Sequence, residues 1–114
     1  MDADGLRAAL IAEGVPAHVV EDASGSDWSD GPAGRYTTHR HDYDKALVCL
    51  AGSITFELVE TGRSITIRAG ERLDLPAGTQ HAAVVGPAGV RCHETHLPAG
   101  TVGGLPMEGR SVQS

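Results

Sequence analysis

The chain has 114 residues, 40% apolar and only 4% aromatic, enough for one compact domain whose core must be filled by aliphatic side chains. Fifteen acidic against nine basic residues give a net charge of −6, which leaves no basic stripe for nucleic acid and no attraction to anionic lipid. No apolar run approaches the roughly 18 residues of a membrane span, and residues 1–5 lack the positive region of a secretory signal.

Two cysteines, Cys49 and Cys92, are too few for a disulfide framework. The expectation is a cytoplasmic protein with reduced thiols that needs neither nucleic acid nor membrane.

Taken in chain order, the first 14 residues predict one short helix. Asp2 or Asp4 caps it, Leu6, Ala9, Leu10 and Glu13 follow helical spacing, and Gly14 with Pro16 ends it. So short a helix needs a partner to pack on. Residues 21–34, dominated by Asp, Ser and Gly, read as a mobile loop in which Trp28 is an anchor on the barrel surface or, as the alternative, part of a ligand mouth. Residues 1–34 are thus expected to be a helix and loop packed on the main body.

From Arg35 the texture changes to short alternating stretches separated by glycine turns. Strands are predicted over 46–50, 53–59, 64–68, 72–75, 81–85 and 90–96. Ile54, Phe56 and Leu58 share one face, as do Ile65 and Ile67, with Thr55, Glu57, Ser64 and Thr66 opposite. Turn signals recur every 8–12 residues or so, the rhythm of a sandwich or barrel. The reading is an all-β body over 35–97 with a tail over 98–114, a surface strap or disordered. The stretch 46–50 is apolar throughout, so both its faces should be covered. One faces the core; the other needs the N-terminal helix or another subunit, which suggests a homodimer.

His39 and His41 stand at i and i+2, so on a strand their imidazoles point to one side. A third histidine, His81, follows the tight turn 76–80 that would feed a new strand back beside the first. Neutral imidazole is the commonest nitrogen ligand for a metal ion.

With these residues in view the resemblance is specific. Gly34, His39-x-His41, Lys45 and Gly52 resemble the first cupin motif; Gly70, Pro76, Gly78 and His81 resemble the second. Six residues separate Lys45 from Gly52, five separate Gly70 from Pro76, and two separate Gly78 from His81. The resemblance implies a double-stranded β-helix, the cupin or jelly-roll barrel, holding a divalent ion (Fe, Zn, Mn or Ni) inside one mouth on His39, His41 and His81. Two positions depart from the family pattern. Lys45 stands where a ligating Glu is usual, and Val85 where an Asn is usual. Three histidines with open positions form a catalytic pattern more than a structural one.

Lys45 needs an explanation. An ammonium about 5 Å from a divalent ion costs roughly 6–7 kcal/mol at an effective dielectric near 20. It must lose its proton, swing to the mouth and clamp a substrate carboxylate, or pair with an acid. On the last strand Val90, Cys92, Glu94 and His96 share a face, and the apolar pair makes that face the inner one. Glu94 then projects into the barrel, where an unpartnered carboxylate is expensive.

Glu94 and Lys45 are therefore the candidate catalytic groups, with His96 a second acid–base candidate nearer the rim. Tyr36, Tyr43 and His96 are the candidate substrate contacts. Cys49, in phase with Lys45, is expected inside as a small hydrophobe. His18 and His93, the latter on the outer face, are expected to be surface or satisfied histidines, and Asp42 and Asp44 to lie in turns or solvent. The function expected is a metal-dependent enzyme on a small polar molecule, a dioxygenase or an isomerase or lyase. The alternative is a non-catalytic module that binds or senses a small ligand.

Overall fold

A computed structural model describes residues 1–103 and the backbone of residues 107–108. The rest of the predicted tail, 104–106 and 109–114, lies outside the described residues. The chain begins with α1 (Ala3–Ala12), where Asp2 is the N-cap and its carboxylate accepts from the Gly5 N–H at 2.8 Å. Gly14, at φ 108°, turns the chain out of it. A second helix, α2 (Ala17–Asp22), follows with no periodic apolar pattern long enough to announce it.

The strands are β1 (Ser24–Asp30), β2 (Arg35–His39), β3 (Asp44–Leu58), β4 (Arg63–Arg68), β5 (Arg72–Leu75), β6 (His81–Leu97) and β7 (Met107–Glu108). All pairings are antiparallel. β1 lies in the stretch read as a mobile loop. It is an edge strand held through its backbone to β6, and its polar, mostly exposed side chains give no hydropathy signal.

The predicted strands 46–50 and 53–59 are one strand, β3, and 81–85 and 90–96 are one strand, β6. The glycines between them bend the strands without stopping them. Gly52 and Gly89 have φ of 72° and 77°, and a Cβ on Gly52 would fall 1.9 Å from the Gly89 carbonyl oxygen. Across this corner each long strand serves two sheets. The first half of β3 and the second half of β6 pair with each other and carry β5 and β1; the other halves pair with each other and carry β4 and β2. The result is the all-β double-sheet barrel.

Leu47, Ile54, Phe56, Leu58, Ile65, Ile67, Leu73 and Leu75 fill the space between the sheets. A second cluster covers the outside, where Ala46 and Val48 of β3 meet Leu6 and Leu10 of α1, Val20 of α2 and Leu97. The outer face of 46–50 is thus covered by the chain's own helices, the first of the two partners its pattern called for. Among the described residues, no helix is long and apolar enough to cross a membrane.

Candidate metal centre

His39 ends β2 and His81 begins β6, and the two are register partners. His41 lies just past β2, in the loop to β3, so backbone turning as well as strand alternation aims its ring inward. Ring centroids are 4.4 Å apart for His39–His81, 4.9 Å for His39–His41 and 5.5 Å for His41–His81. One ligand nitrogen from each lies within 4.8 Å of the others. Three nitrogens held about 2.1 Å from one ion stand roughly 3.0–3.6 Å apart, so closing on an ion draws the rings together by up to about 1–2 Å.

The tautomers are set by carbonyls, which only accept. The Nδ1–H of His39 donates to the Thr37 carbonyl at 2.6 Å, and the Nδ1–H of His81 to the Thr79 carbonyl at 2.9 Å. That leaves the Nε2 lone pairs to the interior. Among the described residues, the Nε2 atoms of His41 and His81 are buried with no hydrogen-bond partner, an expensive state that an ion would relieve. Burial holds His81 down to about 4 against the opposing pull of the Thr79 carbonyl, with His39, Lys45 and His41 adding to the depression. Burial, Lys45 and His39 likewise lower His41. Neutral imidazoles are what a metal needs, and the donor set fits a divalent ion.

The three rings line one wall of a cavity of about 300 Å³ between the sheets. Ile54, Phe56 and Ala83 form an apolar wall with Trp28 and Tyr36, and Lys45 and Glu94 supply the charges. Lys45 Nζ lies 3.7 Å from Glu94 Oε1, both side chains nearly buried. Of the three resolutions open to Lys45, pairing with an acid is the one the fold adopts. Glu94 is a hub, since Trp28 Nε1–H donates to Oε1 at 2.7 Å and His96 Nε2 lies 2.5 Å from Oε2. Burial alone would raise its carboxyl, but the His96 bond, the Lys45 charge and the Trp28 bond outweigh it and hold Glu94 below the usual carboxylate range.

The other expected contacts are distributed differently. The Tyr36 ring lines the cavity and meets Trp28 edge-on at 5.8 Å, while its hydroxyl bonds Asp30. Tyr43 and His96 lie outside the cavity lining, in a separate outer cleft with His18, Asp22 and Ser24. Tyr43 is sandwiched there between His41 at 4.8 Å and His96 at 4.2 Å, so it props the metal-side ring from behind.

Of its two readings Trp28 takes the ligand-mouth one, because β1 aims it inward. His93 is on the outer face as its phase predicts, buried and held by Asp27, 2.5 Å from its Nδ1. Asp44 is fully buried, accepting from Ala77 and Val102 N–H groups, so it is not a solvent residue. Nothing in an exposed-looking Asp-x-Asp run signals that burial. Cys49 is buried inside, as its phase predicts.

A scan against protein-family models and a search of the curated proteins found no match. Solved structures do match. Bacillus subtilis oxalate decarboxylase, in the form of a tryptophan variant, superposes with a TM-score of 0.60 at 19% identity, over 68% of this chain and 21% of that one. The same enzyme at pH 4.6 gives 0.60 at 17% identity, over 75% and 23%. The chain has the cupin fold. It spans about a fifth of the length of those enzymes, and at this identity the likeness to them is one of fold.

Proposed function

We propose that this cupin domain is a metal-dependent enzyme acting on a small organic anion. The observation that carries the reading is the juxtaposition, in one cavity, of three converging imidazoles and a buried Lys45–Glu94 pair. His39, His41 and His81 would hold the ion, which supplies Lewis acidity, or dioxygen chemistry if it is iron. The Mn(II) centres named for the decarboxylase support manganese as one of the candidates beside Fe, Zn and Ni.

Three neutral imidazoles leave the charge of the ion uncancelled, and Lys45 and Glu94 cancel each other. An anion of the substrate is therefore favoured in the cavity. Ile54, Phe56 and Ala83 shield it from water, Lys45 donates to its oxygens, and Glu94 takes or returns a proton at Oε1. All of these residues come from one chain. Dioxygenase chemistry and isomerase or lyase chemistry both suit this arrangement.

The test is metal analysis of protein purified without added ions, then oxygen uptake and product profiling with thiols, diketones and catechols. Stoichiometric metal with turnover that E94Q abolishes is expected; turnover unchanged in E94Q removes Glu94 from the mechanism. A second reading has its own observation. Glu94 is already engaged by three donors and held ionised, which suits a fixed wall of a binding or sensing module. Tight binding of small carboxylates to metal-loaded protein without turnover is the result that selects it.

A further inference from the structure

Cys49 of β3 and Cys92 of β6 are register partners on the inner face, and both are fully buried. The Cys49 N–H donates to the Glu71 carbonyl at 2.9 Å, and the Cys49 carbonyl accepts from the Gly70 N–H at 2.8 Å. Both backbone groups of Cys49 therefore point away from β6. The two cysteines form a non-hydrogen-bonded cross-strand pair, the kind in which Cα atoms approach to about 4.5 Å and side chains stand closest. That spacing falls within the roughly 4.4–6.8 Å that a disulfide spans.

Cys49 Sγ–H is aimed at the Ala51 and Gly52 carbonyls, 3.4 and 3.5 Å away. The neighbouring Cys92 side chain is the main influence that holds Cys49 below the ordinary thiol range, against its burial, and Cys49 in turn pushes Cys92 up. On its other side Cys92 is the register partner of Trp28, which lines the cavity and bonds Glu94.

We propose that Cys49 and Cys92 are a redox-active dithiol that closes to an intramolecular cross-strand disulfide under a peroxide-class oxidant. Two S–H bonds and the O–O bond break and one S–S bond forms. Hydrogen peroxide takes the two electrons and both protons and leaves as two waters; an organic hydroperoxide leaves as an alcohol and one water. The bond staples β3 to β6 two residues from Glu94, in one row with Trp28, so its state is transmitted to the cavity wall. The site depends neither on a bound metal nor on the catalytic reading.

The experiment uses the full chain, stripped of ions with a chelator and treated in its native state with hydrogen peroxide. The protein is then denatured, alkylated with iodoacetamide and weighed intact. Monomeric protein lighter by about 2 Da, carrying no alkyl group, is expected. Trp28 is the sole tryptophan, so its emission should change on oxidation and return with dithiothreitol. Two alkylated thiols after treatment, added oxygen atoms, or a disulfide-linked dimer would overturn the proposal. So would an emission change that persists in C49A or C92A protein.

Discussion

The backbone N–H of Gly78 donates to the carbonyl of His41 at 2.8 Å, which ties the loop carrying one candidate ligand to the turn that launches another, His81. Asp44 completes the clamp, with Oδ1 accepting from Ala77 N–H at 2.7 Å and Oδ2 from Val102 N–H at 2.8 Å. Asp44 thus holds in place the turn that precedes His81, and with it the candidate metal site. D44N should weaken Zn(II) binding about 10-fold, in line with supporting shells of metal sites, while the fold persists. Competition against a chromogenic chelator measures it. If Asp44 only supported the fold, the metal-free melting temperature would drop and the affinity would stay.

The Lys45–Glu94 pair predicts an asymmetry between single and double variants. K45M removes a cation and leaves the carboxylate buried, so it should cost about 1–3 kcal/mol and raise the Glu94 carboxyl towards or past its ordinary range. Trp28 and His96 still donate to Glu94, which keeps the cost below that of an isolated buried charge. K45M/E94Q should recover much of the loss. Urea unfolding of the four proteins forms the cycle, and strict additivity would show that the two side chains do not interact.

Much of this was legible in the residues. The alternation of Ile54, Phe56 and Leu58 announces the core, and the spacing of His39, His41 and His81 announces the site. The phases of Lys45, Cys49 and Glu94 place them inside correctly. What escaped was held by backbone or by tertiary neighbours. β1 pairs through main-chain groups while showing Ser and Asp to solvent, so the inward aim of Trp28 leaves no pattern. The predicted strand breaks failed because bending glycines resemble stopping ones in a one-dimensional string. Burial of Asp44 and His93 depends on segments distant in sequence, Ala77 and Val102 for one and Asp27 for the other. The placing of Tyr43 and His96 in the outer cleft follows from a ring stack that strand phase does not encode.

Arg72 holds the outer layer to the barrel. Its guanidinium is almost wholly buried, bonds Asp74 at 2.7 and 2.8 Å, and reaches Glu13 beyond α1 at 2.7 and 3.0 Å. R72M should destabilise the protein by about 3–5 kcal/mol, because Asp74 stays buried and loses both guanidinium bonds. E13Q should cost far less, since Glu13 is partly exposed and its amide oxygen still accepts. Thermal unfolding of the two variants compares them, and equal losses would contradict the burial argument.

The depressed basicity of His81 gives the metal-free protein a pH-dependent stability of definite sign. In the unfolded chain this imidazole takes a proton near pH 6.5, whereas in the folded protein burial delays that to about 4. Between those values the unfolded state binds more protons, so stability falls as pH drops through the window and this contribution levels off below it. The loss assigned to His81 is about 3 kcal/mol across that window. Urea unfolding of chelator-treated protein at pH values of about 7, 5.5 and 4 measures the total slope. H81Q, which has no proton to gain, should be the shallower of the two proteins by that amount. Parallel slopes would mean that the folded His81 ring takes up its proton as readily as the unfolded one, and its lone pair would then not be held ready for an ion by burial.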